Sequence, residues 1–182
     1  LFRAIHLVRV GRPDGRGLPP LEWLDQCALR LARRFQAACR VREEIIDATP
    51  AFDAHRLQYQ SSALLPVLAA IEAPAVLGLT TFDLFVPILT FVFGEAQLRG
   101  KAALVSTCRL QEEFYGLPAN PSRFLDRLEV EAVHELGHTL GLRHCDDWNC
   151  AMSSSHAVER IDIKQASYCE ACLRLLSAAP AR

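Results

Sequence analysis

No apolar run in this sequence reaches the roughly 20 residues that a helix needs to cross a bilayer. The first segment also lacks the charged-then-apolar order of a secretory signal, so no membrane association is expected. Net charge is nearly absent. The 20 basic and 21 acidic side chains are interspersed along 182 residues, for a formal net charge of −1. Such a surface has no electrostatic grip on nucleic acid or anionic lipid, and it points to a peptide or protein as partner. Methionine occurs once, at Met152. Apolar residues make up 51 % of the chain, enough to build one domain with a real core over residues 1–182. Seven cysteines would suit a small, loop-rich disulfide scaffold, but a chain this apolar does not need one. Cys27, Cys39 and Cys108 sit in apolar stretches, where a free thiol behaves as a small hydrophobe. An odd count with buried singletons fits a reducing compartment, and the cytoplasm is the expected location.

The stretch that carries chemistry is HELGHTLGLRHC, from His134 to Cys145. On a helix, His134 and His138 stand one turn apart on a single face, so their imidazoles can converge on one metal ion. If the helix continued, His144 would lie about 9 Å farther along the axis than His138, out of reach of a zinc ion whose nitrogens sit at roughly 2.1 Å. The helix must break. Gly141 is where a break is cheapest, because a residue without a Cβ can take the left-handed conformation that ends a helix. The turn can then bring His144 round as a third ligand. Three histidines leave one position of a tetrahedral zinc open for water, as in catalytic rather than structural sites. Zinc lowers the pKa of that water toward about 7, and Glu135 can take its proton as it attacks a carbonyl. Hydrolysis of a peptide bond is the implied reaction.

Around this stretch the chain alternates strands and helices. Residues 4–10 read as a buried strand, with His6 as a hydrogen-bonded core or edge histidine rather than a ligand. A covering helix starts at Leu21, and Arg30, Arg33 and Arg34 form its solvated face. Residues 41–46 read as a second strand and 47–60 as a long surface loop. Ser61 or Ser62 is expected to cap a short helix whose Leu64, Leu65, Leu68 and Ile71 point inward. Residues 76–79, 84–86, 91–93 and 102–106 read as strands. Asn120 followed by Pro121 opens a helix that reaches about Gly141. Leu125, Leu128, Ala132, Leu136 and Leu140 are its buried stripe, and Arg127, Glu131, His134 and His138 share another face. Glu131 is read there as a solvated helix residue. The order of elements indicates an α/β layer sheet with at least one antiparallel neighbour.

Four cysteines follow the histidines. Cys145 and Cys150 are separated by four residues, and Cys169 with Cys172 forms a Cys-x-x-Cys knuckle. Together the four thiolates could close a second, structural zinc site. His144 and Cys145 are adjacent, so their side chains can point to opposite sides of an extended segment, one to each metal. Two disulfides are a rival reading, but they need an oxidising compartment. A redox pair at Cys169 and Cys172 is another, but such a pair belongs after a strand of a thioredoxin-like unit.

The pattern His-Glu-x-x-His-x-x-Gly-x-x-His followed by a methionine resembles that of the metzincin metalloproteases. With Cys145 directly after the third histidine, then Cys150, Met152, Cys169 and Cys172, it is similar to the archaemetzincins. Residues 82–87 (FDLFVP) and 91–96 (FVFGEA) look like that family's central strands. The resemblance implies a compact metzincin-like domain, with a mixed, mostly parallel twisted sheet, an antiparallel edge strand and packed helices. Residues 1–144 would carry the sheet and zinc helix, and 145–182 the second zinc site and the Met-turn. It further implies two zinc ions, one on His134, His138 and His144 and one on Cys145, Cys150, Cys169 and Cys172. Glu135 would be general base and acid, Met152 would pack under the histidines, and a monomer would act on peptides, conceivably from the amino end. The edge strand that pairs with substrate would fall within 91–98, unless that segment is an inner strand. Some metzincins place a tyrosine after the Met-turn to hold the oxyanion; here Ser153, Ser154, Ser155 and His156 follow, so either Glu135 and the zinc would carry more of the stabilisation or His156 would help. The competing class is a catalytically silent zinc protein that binds a peptide or protein partner.

Overall fold

Four successive buried residues, Ile5, His6, Leu7 and Val8, mark β1 (Ala4–Gly11) as a strand covered on both faces, as parallel strands usually are. The computed structural model, which describes residues 1–178, places β1 between two parallel neighbours, β2 (Ala38–Asp47) and β5 (Val76–Thr80). The sheet continues through a parallel β8 (Ala102–Ser106) to an antiparallel edge strand, β7 (Gly94–Ala96), in the order β2-β1-β5-β8-β7. Side chains alternate across it. Ile5, Leu7, Leu77, Leu79 and Val105 meet α1 (Leu21–Phe35) and α3 (Pro121–Thr139) on one face, while Val8, Val10, Val76 and Leu104 meet α2 (Ser61–Ala70) on the other. This is a mixed, mostly parallel α/β sheet between helices. Among the described residues, no helix is long and apolar enough to cross a membrane.

Several expectations shift. Residues 47–60 are not one loop, because a 3₁₀ turn at Thr49–Ala51 is followed by short strands β3 (Phe52–Asp53) and β4 (Gln58–Gln60), and β4 pairs in parallel with β6 (Leu84–Phe85). Neither Ser61 nor Ser62 caps α2, whose N-cap position is Gln60; both hydroxyls donate instead to the Glu95 carboxylate. Residues 91–93 contribute no strand beyond one bridge between Val92 and Leu84. Phe91 is drawn aside under the Arg109 guanidinium, 4.0 Å from its ring, and regular pairing starts only at Gly94. His6 is buried with Nδ1 3.4 Å from the Arg42 guanidinium, and Cys27, Cys39 and Cys108 are free thiols. Burial lifts Cys39 and Cys108 to about 11, which keeps them protonated and unreactive. After α3 the chain forms α4 (Val158–Asp162) and α5 (Glu170–Ser177); the last four residues of the 145–182 segment lie outside the described residues.

Candidate metal and active site

The α3 helix is built to hold its end still. The Asn120 side chain accepts from the Arg123 backbone N–H at 3.1 Å, and Pro121 occupies the first turn. Phe124, Leu128, Ala132, Val133 and Leu136 bury one side against the sheet. At the far end Gly141 adopts φ +99°, its N–H donates to His138 O at 2.9 Å, and the Leu142 N–H donates to Gly137 O at 3.0 Å. This pair of bonds is the Schellman closure, and it turns the chain back as the glycine predicts. His134, His138 and His144 come together, with donor atoms within 4.8 Å of one another.

The protonation of these rings follows from their partners. His134 Nδ1 lies 2.6 Å from Ala151 O and His138 Nδ1 lies 2.8 Å from Leu142 O. A carbonyl only accepts, so both Nδ1 atoms carry hydrogen and both Nε2 atoms present lone pairs. Those Nε2 atoms stand 3.1 Å apart. Burial holds all three histidines below their ordinary pKa, which disfavours an imidazolium between them. Facing lone pairs call for a cation. Tetrahedral zinc with nitrogens at 2.1 Å would set them about 3.4 Å apart, so the donor set fits that ion.

Glu135 lies beside the triad, almost fully buried, and among the described residues its Oε2 accepts no hydrogen bond. Burial, then Glu131 and Glu95, raise its pKa well above the carboxylate range, and Lys164 opposes them. The edge strand passes directly over it. A Cβ at Gly94 would come within 2.7 Å of Glu135 Oε1 and of the Leu104 carbonyl, so only glycine lets β7 approach this closely. A cleft of about 780 Å³ runs between β7 with the 86–93 segment on one side and residues 154–156 on the other, and the three histidines and Glu135 line it. Met152 is fully buried, and a Cβ on Gly137 would overlap its Sδ, so it packs against the turn of α3 that bears the ligand pair.

The four cysteines form a second cluster, with sulfurs within 4.8 Å of one another. Cys145 and Cys169 are 3.6 Å apart and Cys150 and Cys172 3.9 Å. A disulfide needs about 2.05 Å, whereas sulfurs at 2.3 Å from a tetrahedral zinc lie about 3.8 Å apart. Cys150 Sγ also accepts backbone N–H groups from Met152 at 3.4 Å and Cys169 at 3.3 Å. Backbone bonds join the two clusters, since the Cys145 N–H donates to Met152 O at 3.0 Å and Ala151, whose carbonyl orients His134, donates to Ser167 O at 2.9 Å. Tyr168 Oη donates to Val133 O at 2.9 Å and pins the segment to α3.

Residues 37–178 match the pattern of peptidase family M54. The chain belongs to that family, the archaemetzincins. An archaemetzincin of Methanocaldococcus jannaschii is 43 % identical over 138 residues, 76 % of each chain. The crystal structure of the Archaeoglobus fulgidus archaemetzincin, complexed with malonate, superposes with a TM-score of 0.80 at 32 % identity, covering 94 % of this chain and 98 % of that one. A zinc-dependent peptidase of Methanocorpusculum labreanum gives 0.82 at 28 % identity, covering 94 % and 99 %. The mixed, mostly parallel sheet packed on helices matches those of the archaemetzincin structures, and the protein is a zinc metallopeptidase.

Two residues of this archaemetzincin cleft escape a reading of the sequence. Glu131 is not solvated: only 3 % exposed, it lies on the cleft wall one turn before Glu135, and burial pushes it up to about 7. Its partner is Lys164, whose Nζ lies 3.9 Å from Glu131 Oε1. His156 also lines the cleft but is exposed. No local spacing announces the Glu131–Lys164 pair, since its members are brought together only by the packing of α4 on α3.

Proposed function

We propose that the protein hydrolyses peptide bonds with His134, His138 and His144 holding a catalytic zinc ion, Glu135 acting first as base and then as acid, and Cys145, Cys150, Cys169 and Cys172 holding a structural zinc. The observation that carries this is the pair of Nε2 lone pairs turned on each other by carbonyl-bound Nδ1 atoms, beside a buried carboxylate in an open cleft. Zinc bound there lowers the pKa of water and polarises a substrate carbonyl. The chain does the rest. Glu135, held under β7, takes a proton from the attacking water and passes it to the leaving amine. As the outer strand of the sheet, β7 can pair with an extended peptide, adding backbone bonds while the cleft sorts side chains. Glu95 and Glu131 line the same cleft and would meet a free substrate ammonium, which supports cleavage from the amino end. A reducing compartment such as the cytoplasm suits this reading, because none of the seven cysteines is in a disulfide and four of them would be needed as thiolate ligands.

The test is turnover of a peptide library, with free and acetylated amino ends, by wild type and Glu135→Gln at equal zinc content. We expect cleavage of the free-amino set and a fall in kcat of about 10³-fold in the variant with both ions retained. Cleavage by neither protein across the library would instead identify a silent zinc protein that binds peptides.

A further inference from the structure

Lys164 follows α4, and its side chain, 1 % exposed, reaches the cleft wall that also carries His134, Glu135 and Ser155. Its ammonium has three N–H groups to place. One donates to the Ser153 carbonyl; Glu131 Oε1, at 3.9 Å, is an ion-pair partner beyond hydrogen-bond distance. Among the described residues the remaining donors have no acceptor. A buried ammonium is costly and is usually paired and fully bonded, so one left under-bonded in the wall of a reaction cleft is arranged for a ligand. Ser155 Oγ and Glu131 Oε1, on the same wall, likewise have no hydrogen-bond partner. The charges balance: Glu131 offsets Lys164, so the cleft gains an oriented donor with no change in its net charge. Burial pulls Lys164 below its ordinary pKa, but Glu131 and then Glu135 pull it back toward the charged form.

We propose that Lys164 is a catalytic residue, its ammonium donating to the carbonyl oxygen of the scissile bond as that oxygen takes up negative charge. The inference rests on the peptidase reading above. In the step concerned, the water oxygen bonds to the carbonyl carbon, its proton goes to Glu135 and the carbonyl π pair moves onto the oxygen beside Lys164. On collapse that pair returns, the C–N bond breaks and Glu135 gives its proton to the amine. Lys164 keeps its protons throughout and contributes a preset electrostatic contact, the kind that matters most where charge develops.

The experiment compares wild type with Lys164→Met, Lys164→Arg and the double variant Lys164→Met/Glu131→Gln, which leaves no lone buried carboxylate. For each, zinc content and thermal unfolding accompany kcat, KM and the affinity of a phosphinic peptide, a stable mimic of the tetrahedral state, measured by calorimetry. Lys164→Met and the double variant should lose about 10²-fold in kcat and a similar factor in phosphinate affinity. KM should move less than threefold, and Lys164→Arg should bind the phosphinate better than Lys164→Met. Phosphinate affinity equal to wild type in the double variant overturns the proposal, and so does loss of zinc in every Lys164 variant, which would make the residue a clamp on the Ser153 turn. If wild type cleaves no peptide, the peptidase reading falls by itself. The phosphinate titration still decides on Lys164, with weaker binding by the variant supporting it and equal binding overturning it.

Discussion

The histidine cluster takes its donors from one helix and the turn that ends it, whereas the cysteine cluster takes two from the segment after that turn and two from the start of α5. In the first, helix geometry and a backbone closure set the ligands before any metal arrives, and one side faces a cleft. In the second, four thiols come from two separate segments, joined by a connection that is mostly turn with a single five-residue helix and is held to the core through Met152, Val158, Ile161 and the Tyr168 bond to α3. The contrast separates two uses of a metal. A site preset by backbone can leave a coordination position for chemistry, while a site assembled by its ion must use every position to close the fold. The dependence between them runs one way. His144 adjoins Cys145, and His134 is oriented by a carbonyl in the segment between the cysteines, so the histidine cluster leans on the cysteine one.

Removing one donor from each cluster is the strongest way to break that comparison. Structural zinc supplies about 10 to 16 kcal/mol of apparent binding free energy in small zinc-folded peptides, so Cys172→Ser should forfeit much of what orders residues 145–178. We expect both ions to be lost, the segment to become sensitive to limited proteolysis, and turnover to vanish. His138→Ala should lose only the catalytic ion and keep the segment protected. Metal content per chain and proteolysis of the two variants check this. One ion lost in each case would show that the clusters are independent.

A smaller effect tests the preset side alone. Gly94→Ala puts a methyl within 2.7 Å of Glu135 Oε1 and of the Leu104 carbonyl, and the second contact is backbone, so the strand cannot simply absorb it. Displacing a reacting group by about 1 Å can cost 10²-fold in rate. Zinc content should stay at the wild-type level while kcat falls by about that factor, since the three atoms nearest the new methyl belong to Glu135 and Leu104 and none to a metal ligand. Steady-state kinetics at matched metal content gives the answer; unchanged kcat would mean that β7 does not fix the base.

The same contrast explains what the sequence discloses. The histidine donors were legible because helical spacing and a glycine stop are local rules, and the Cys-x-x-Cys knuckle because its spacing is that of a zinc ligand pair. The inner strands β1, β5 and β8 were legible as short, largely apolar runs. Residues 91–93 misled for the same reason: an aromatic run there serves to pack under Arg109 rather than to pair. Glu131 was read as solvated because a polar helix face normally meets water, yet here that face forms part of a cleft also lined by the 86–93 segment, residues 154–156 and Lys164. Lys164 had no signal at all, since a lysine in a polar stretch reads as surface until tertiary packing buries it. Gly94 carries no signal in the sequence, and its purpose shows only when Glu135 is seen beneath it.

The smallest expected effect concerns the residue that the sequence put forward for the oxyanion, His156. It lines the cleft but is exposed, and among the described residues no side chain is seen to fix its ring. An unanchored imidazole in water gains little from the low dielectric that strengthens a buried donor, and it must be ordered anew at each turnover. Lys164 is buried and tethered at Ser153. His156→Ala should therefore leave kcat and phosphinate affinity within threefold of wild type, measured beside Lys164→Met. A larger loss at His156 than at Lys164 would move the charge-stabilising contact from the wall of the cleft to its rim, and with it the claim that this protein presets its catalytic groups by burial.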